Sequence, residues 1–253
     1  MFKKLLLLVS LVFIANCVVY AQEAIVEVEG RYWMTDLTAK AKIVSSSIGS
    51  DLDFKSDLGL EDENFPEIKL ICHRGPNNKY ELSYTQIGYS ADKIVTRNIE
   101  FSGNTYTSGS RVTTDLDIKY LSFVWVWQFI NLPQDKLKFG TVAGVKALSA
   151  DMELNAPSLG ISKSDSIIGG LPVIGAALDI NPISMIGLFA EVSGLSAGSY
   201  GYFLDAEAGV KLVPIRFVCL TGGYRLINMR ADRDSDFAEI KFKGPFVGGV
   251  IRF

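Results

Sequence analysis

Polarity alternates residue by residue in the stretch Val26-Glu27-Val28-Glu29-Gly30-Arg31-Tyr32-Trp33-Met34-Thr35. The even-numbered positions form a mainly apolar set, whereas Glu27, Glu29 and Arg31 put charge on the odd-numbered positions. A period of two is typical of a β-strand whose two faces meet different surroundings, because successive side chains of a strand point in opposite directions. The stretch therefore predicts a strand between an apolar and a polar environment.

The same alternation recurs along the chain. It is present in 202–212 and in 115–120, where Leu116, Ile118 and Tyr120 alternate with charged residues. We expect the apolar face of these strands to meet lipid and the charged face to meet a polar lumen. After Tyr120 the apolar residues move to the odd positions, as in Phe123 and Trp125. This change of parity predicts a β-bulge after Tyr120.

Counting such segments predicts about ten strands, at 24–37, 65–74, 79–90, 111–130, 137–152, 169–181, 183–195, 200–213, 215–230 and 237–253. Tight turns at 75–78, 131–135, 181–182 and 213–214 alternate with longer connections, and 38–64 and 91–110 read as long polar loops. Eight strands are also possible, if two of the segments are hairpins within loops. Short turns on one side and long loops on the other are typical of transmembrane barrels.

A helical membrane protein is disfavoured. The longest apolar run after the first twenty residues, 167–178, is interrupted by Gly169, Gly170 and Pro172 and is shorter than the ~20 residues that a spanning helix needs. In lipid, strands satisfy every backbone polar group only when the sheet closes on itself. The expected fold is therefore all-β, a closed antiparallel up-and-down transmembrane barrel. A soluble β-sandwich remains the structural alternative.

The first 21 residues have the organisation of a signal peptide. Lys3 and Lys4 precede an apolar stretch from Leu5 to Ile14, and Val19-Tyr20-Ala21 provides a cleavage site. We expect cleavage after Ala21, which leaves residues 22–253 as the single barrel domain. An uncleaved anchor or a lipid on Cys17 is disfavoured.

The last segment, 243–253, ends on Phe253, with Val247, Gly249 and Ile251 on the same face. This resembles the C-terminal signature of bacterial outer-membrane β-barrels, which the barrel-assembly machinery reads as an insertion signal. The resemblance covers the mature chain as a pattern and points to no single family. It implies the outer membrane of a Gram-negative bacterium, with outer-membrane lipid and the assembly machinery as partners.

Little in the sequence points to chemistry. The formal net charge is −3 and no Lys/Arg cluster is present, so we expect no nucleic-acid partner. The single histidine, His73, lies beside an expected periplasmic turn, whereas outer-membrane proteases resembling the omptins, and lipid A deacylases with a Ser-His pair, place theirs near the outer surface. The acidic loop at Asp232, Asp234 and Asp236 lacks the Gly and Glu of a calcium loop. We expect no enzyme, cofactor or metal.

The remaining cysteines and aromatics also suggest positions. Cys72 and Cys219 are expected on the lipid face of separate strands, as two free thiols. Aromatic residues near strand ends predict girdles at both membrane interfaces, formed by Tyr32, Trp33, Trp125, Trp127 and Phe129.

Charged residues of both signs are expected to line the lumen. They are Glu27, Glu29, Arg31, Glu81, Lys119, Lys138, Lys146, Asp205, Glu207, Lys211, Lys241 and Lys243. Because the first and last strands should adjoin, we expect Glu27 and Glu29 to face Lys241 and Lys243. A barrel of eight to ten strands is narrow enough for side chains to fill it. This favours a structural or surface-interaction barrel with an unknown surface partner. The alternative is a narrow, porin-like channel for small polar solutes.

Overall fold

The computed structural model of the protein describes residues 24–45, 48–101, 104–215, 217–233 and 236–253. The expected signal peptide, residues 1–21, lies outside the described residues. Within the described ranges, no helix is long and apolar enough to cross a membrane. The helical elements of this part of the chain are single turns of 3-10 helix at Pro133–Asp135, Pro157–Leu159 and Gly198–Tyr200.

Strands make up most of the described chain. Their bounds are β1 Ala24–Met34, β2 Asp36–Ser45, β3 Ile48–Asp53, β4 Asn64–Arg74, β5 Asn78–Ile94, β6 Ile99–Phe101, β7 Asn104–Tyr106, β8 Arg111–Asn131, β9 Leu137–Ala156, β10 Ile161–Ile183, β11 Ile186–Ser196, β12 Gly201–Ile215, β13 Val218–Arg233 and β14 Asp236–Arg252.

Ten of these strands form a closed antiparallel barrel. Their order is β1-β4-β5-β8-β9-β10-β11-β12-β13-β14, and β14 pairs again with β1. Each barrel strand overlaps one predicted segment, so the predicted ten-stranded closed barrel is confirmed. Closure gives each of the ten strands a neighbour on both sides, which is the condition for strands to lie in lipid.

The two regions expected to be long polar loops contain additional strands. β2 continues the direction of β1 after a break at Thr35 and pairs with the first half of β14, while β1 pairs with its second half. β3 folds back onto β2, and β6 and β7 form a small separate hairpin. The description of 38–64 and 91–110 as polar loops was therefore wrong. Both segments contain β-strands, and β2 extends the barrel sheet by pairing with β14.

The break at Thr35 depends on a close contact between backbones. A Cβ atom on Gly244 would lie 1.7 Å from the carbonyl oxygen of Met34, so only glycine fits at this position. The indole Nε1 of Trp33 donates a hydrogen bond of 3.1 Å to the carbonyl oxygen of Gly244, and the Thr35 hydroxyl donates one of 2.7 Å to the carbonyl oxygen of Glu63. These bonds satisfy polar groups where the β1–β14 ladder is interrupted.

The predicted bulge after Tyr120 is wrong. β8 pairs with β5 without a register shift from Arg111 to Trp127, and its irregularity against β9 lies further along, between Gln128 and Ile130. The even-numbered residues of β8 face the interior from Val112 to Gln128. Leu116, Ile118 and Tyr120 are therefore inside, although the sequence had suggested the lipid side. What changes at Tyr120 is the polarity of the surroundings.

This change occurs at one level on neighbouring strands. Thr85, Tyr120, Leu148 and Gly169 are successive cross-strand partners on β5, β8, β9 and β10. On one side of this level the outward residues are apolar, and on the other side they are polar. On β8 the apolar residues are Phe123, Trp125 and Trp127, and the polar ones are Asp115, Asp117 and Lys119. The level thus marks where the strands leave the hydrocarbon. We call the two parts of the barrel the membrane half and the outer half.

The interior of the outer half is apolar. Two buried groups meet there, one from β2, β3 and the loop that follows and one from β4, β5 and β8: Leu37, Ala39, Leu52, Phe54, Leu58 and Leu60 against Phe65, Ile87, Tyr89, Leu116 and Ile118. Each large apolar side chain buried here contributes roughly 1.5–3 kcal/mol. The outer half is therefore packed like a soluble domain.

The aromatic residues separate into two groups. Tyr32, Trp125, Trp127 and Phe129 are exposed on the outside of the barrel, as an aromatic girdle requires. Trp33 is only 1% exposed and lies in the interior core, so its placement in the outer girdle was wrong.

Lumen of the membrane half as the candidate functional site

The interior of the membrane half is charged. Every second residue of a strand points inward. On six of the ten strands these positions carry buried ionisable side chains that form ion pairs: Glu27, Glu29, Arg31, Glu67, Lys69, Lys79, Glu81, Lys146, Asp205 and Arg225. Buried charges need partners, and the strand register supplies them.

Asp205 on β12 is the most fully bonded carboxylate of this lumen. Arg225 donates to it from Nε at 3.1 Å and from Nη2 at 2.9 Å. Lys146 donates from Nζ at 2.6 Å, and the Tyr120 hydroxyl donates at 2.9 Å. Arg225 also contacts Glu67 on β4. Four strands besides β12 are thus joined through one carboxylate and one guanidinium.

Glu207, two residues further along β12, begins a second chain of ion pairs. Its carboxylate lies 2.8 Å from Nη1 of Arg31 and 3.1 Å from Nζ of Lys69. Lys69 also lies 3.2 Å from Glu81, which pairs with Lys79 at 2.7 Å. The alternating signs connect β1, β4, β5 and β12 across the lumen, so the charges fill the space between opposite strands.

The periplasmic mouth, the open end of the lumen around Glu27 and His73, has its own ion pair. Glu27 lies 2.7 Å from Nη2 of Arg252 and 3.6 Å from Nε2 of His73. Glu29, the next inward residue, contacts Arg31 at 2.8 Å and accepts a 2.7 Å hydrogen bond from Thr221. The single histidine therefore lies at the end opposite to the outer half.

Several of the expected lumen residues lie where the sequence suggested. Glu27, Glu29, Arg31, Glu81, Lys146, Asp205 and Glu207 line the interior. Lys211 also points inward, with Nζ 4.0 Å from Asp179 and 5.2 Å from the centre of the Phe189 ring. Lys138 is largely covered and lies 3.0 Å from Asp135 in the turn before β9.

Lys241 and Lys243 need a correction. Phe242 and Phe246 of β14 face the interior, so the odd-numbered lysines between and beside them point outward. Lys243 pairs with Asp36 on β2 at 3.1 Å, and the expected contacts with Glu27 and Glu29 are not formed. Both lysines lie on the outer half, where the charged face of a strand meets water. Lys119 is outside for the same reason.

Several members of the lumen were missed by the sequence reasoning, among them Glu67, Lys69, Lys79, Asp179, Glu191 and Arg225. Glu67 and Lys69 could have been found, because they alternate with Ile68 and Leu70 as the charges of β1 do with its valines. Arg225 gave no such signal. Its neighbours on the same face are Gly223 and Ile227, so only the β12–β13 register brings it to Asp205.

The structure also shows the positions of the two cysteines after residue 24 and of the last residue. Cys72 and Cys219 are both free and buried. Cys72 is on the outward side of β4, but Cys219 shares the inward side of β13 with Thr221, so its expected position on the lipid face was wrong. Phe253 exchanges backbone hydrogen bonds with Val26 at the periplasmic end of β1, and its side chain is exposed.

Little open space is left inside the membrane half. Two gaps lie among the charged residues, and each has room for about one water molecule. A wider vestibule opens at the periplasmic mouth, bordered by Glu27, Lys79, Asp179 and Lys211. Among the described residues, no group of three or more His, Cys, Asp or Glu side chains could hold a metal ion.

Comparison with solved structures finds other bacterial proteins of similar architecture. The structure is similar to that of the outer membrane protease OmpT from Escherichia coli, with a TM-score of 0.62 and 8% sequence identity over 90% of this chain and 97% of that chain. Ail of Yersinia pestis, in complex with a heparin analogue, aligns with a TM-score of 0.39 and 11% identity over 91% of this chain and 99% of Ail. Neisserial surface protein A aligns with a TM-score of 0.36 and 14% identity over 90% of this chain and 97% of that chain.

No protein-family model and no curated protein matches the sequence. At these identities the solved structures show the fold alone. Together with the closed ten-stranded sheet and its apolar outer face, the likeness to the OmpT fold defines the class: the protein is an integral β-barrel of the bacterial outer membrane, in contact with its lipid.

Proposed function

We propose that the protein is a non-enzymatic barrel with a closed lumen, and that it acts through structure or through contacts at its outer surface. The observation that carries this proposal is the double filling of the interior. Ion pairs occupy the membrane half, and an apolar core occupies the outer half directly above it.

A solute entering from the periplasmic mouth would first have to separate the ion pairs around Glu207 and Asp205. Separating a buried pair leaves uncompensated charge, at a cost of roughly 3–5 kcal/mol per pair. It would then meet side chains such as Leu37 and Ile118, which are less than 1% exposed and offer no polar group. Both barriers oppose passage of a polar solute.

The position of His73 supports the absence of hydrolytic chemistry. Its ring lies at the periplasmic mouth, 3.6 Å from Glu27, which is itself bound by Arg252. A histidine acting as a general base needs a nucleophile within hydrogen-bonding reach, whereas His73 lies beside the carboxylate of Glu27.

Single-channel recording in a planar bilayer tests the proposal. The refolded protein, shown to be folded by its heat-modifiable shift on a gel, should give no discrete current steps. A variant with the single change Glu207→Gln, shown to be folded by the same gel shift, should be no more conductive, because the outer core still closes the lumen. Lasting, ion-selective steps from the unaltered protein would overturn the proposal in favour of a channel.

A further inference from the structure

The first part of β10, from Ile161 to Val173, has a free edge. β10 pairs with β9 from Ile161 to Ile180, but its ladder with β11 begins only at Ile174. No described strand pairs with the other edge from Ile161 to Val173. Beyond Ile161, whose side chain is partly covered, the described side chains from Ser162 to Pro172 are all exposed. This edge spans roughly 40 Å at about 3.3 Å per residue, and most of it lies in the outer half.

The even-numbered residues carry the free backbone groups. Pro172 has no N–H, yet it sits within the unbroken β9–β10 ladder, so its nitrogen points away from β9. Because N–H direction alternates along a strand, Ser162, Ser164 and Ser166 point the same way. The N–H of Ser166 donates to the Asp165 carboxylate at 2.8 Å, so the free N–H groups among these serines are those of Ser162 and Ser164. An unpaired row of donors and acceptors is a template for another strand.

The two faces beside this edge differ. On the inner face, Ala150 and Met152 of β9 and Ile161 of β10 are partly buried apolar residues against the outer core, and the exposed Lys163 and Asp165 of β10 lie on the same face. On the outer face, the short serines 164 and 166 border a groove whose other walls are acidic, formed by Asp115, Asp117, Asp151 and Glu153. The register places Asp115 opposite Glu153 and Asp117 opposite Asp151, an arrangement of like charges that is unfavourable without a cation. Lys119 approaches Asp151 only to 3.9 Å.

From these features we propose that the free edge of β10, residues 161–171, binds an extended segment of another polypeptide by adding it to the sheet as a strand. The segment would alternate apolar side chains, placed on the inner face beside Ile161, with Lys or Arg side chains on the outer face that reach over the serines to the carboxylates. Main-chain hydrogen bonds would supply affinity and the alternation would supply selectivity. The inference rests on the proposed function, because it names the partner class of the outer surface.

A second copy of the protein is not the occupant. Two barrels in one membrane are related by an axis along the membrane normal, so their tilted β10 strands would cross where they meet instead of running side by side. Antiparallel pairing would invert one barrel and place it in a facing membrane. The edge lies too close to the hydrocarbon boundary at Gly169 for two membranes to approach that far.

The test uses the refolded full-length protein and an eight-residue peptide of alternating Val and Lys. We expect saturable binding that weakens as salt is raised, and no binding of the matching Val and Glu peptide. The same Val-Lys peptide, N-methylated on the amides of one edge, keeps every side chain but cannot join the ladder. Two such peptides can be made, one methylated on each edge. One of the two should bind at least tenfold more weakly than the parent peptide. Equal affinity of both methylated forms with the parent peptide would overturn the proposal.

Substitutions in the protein, in place of changes to the peptide, test the same edge. Ser164→Pro removes one free N–H without touching the β9 ladder, as Pro172 already does, and should weaken binding at least tenfold, while Ser164→Ala should not. The double change Asp151→Asn with Glu153→Gln should weaken binding of the Val-Lys peptide and flatten its salt dependence. If Ser164→Pro fails the gel-shift test of folding, the methylated peptides decide alone. Absence of peptide binding by a folded protein that is silent in the bilayer rejects the edge and leaves the closed lumen standing.

Discussion

Arg225 and Asp205 form a two-point ion pair across adjacent strands, with Nε–Oδ1 and Nη2–Oδ2 distances of 3.1 and 2.9 Å. Because Lys146 and Tyr120 donate to the same carboxylate, this pair determines how β8, β9, β12 and β13 meet inside the lumen. The membrane half thus has an ionic centre where a soluble barrel would have an apolar one.

Removal of that carboxylate should be strongly destabilising. Asp205→Ala leaves Arg225 and Lys146 buried with one counter-charge fewer, and we expect a loss of roughly 3–5 kcal/mol in the free energy of unfolding. Urea unfolding in lipid vesicles measures it. Asp165→Ala, an exposed carboxylate on β10, is the matched control and should change stability by less than about 0.5 kcal/mol. Equal stability of the two variants would contradict the central role of Asp205.

The close approach of β14 to the break at Thr35 gives a second prediction. Gly244→Ala would put a Cβ atom 1.7 Å from the carbonyl oxygen of Met34, so β1 and β2 could not both keep their places on β14. We expect a marked loss of refolding yield, read from the heat-modifiable gel shift. Gly249→Ala on the same strand has nothing within 4 Å and should refold as the unaltered protein does. Similar yields for both variants would show that the break tolerates a side chain.

The ten strands could be predicted because period-two alternation survives in the membrane half and in the outer half alike. Alternation shows which residues share a face, but not which face is inside. Where the surroundings change from lipid to water, the apolar face turns from outside to inside while the strand continues unbroken. Leu116 and Tyr120 were assigned to the lipid, and Lys241 and Lys243 to the lumen. The local sequence pattern does not show at which residue the surroundings change from lipid to water.

Contacts between distant segments account for the rest. Glu67 and Arg225 are 158 residues apart, and nothing around Arg225 suggests a charged face. The requirement for glycine at 244 likewise depends on Met34, at the other end of the chain. Such positions follow from the closed register and could be found only after the strands were paired.

Acid should loosen the loop that follows β3. Arg97 hydrogen-bonds the Asp57 carboxylate, and this contact holds its pKa below the usual value. Since the unfolded value is about 3.9, the stabilisation is complete above about pH 4 and is lost as pH falls through the folded pKa. Hydrogen-exchange protection of residues 53–60 should therefore drop below about pH 4.

Two variants isolate this effect. Asp57→Asn should show reduced protection of the same segment already at neutral pH, with a flatter acid response. Asp92→Asn removes a carboxylate that pairs with Arg111 on the exposed surface and should leave the profile of 53–60 unchanged. A profile of Asp57→Asn that matches the unaltered protein would assign the acid response to other carboxylates.

The level of Tyr120 can be located by cysteine labelling, since the native thiols of Cys72 and Cys219 are buried and should give a low background. Asp117 and Phe123 both point outward from β8, on opposite sides of that level. In intact cells a membrane-impermeant maleimide should label Asp117→Cys within minutes and leave Phe123→Cys unlabelled, because lipid covers the latter. If both react at the same rate, the hydrocarbon boundary lies closer to the periplasm than Phe123. Trp125 and Trp127 would then mark the outer interface, and the membrane half would be too short for the ~9–11 residues that a strand needs to cross.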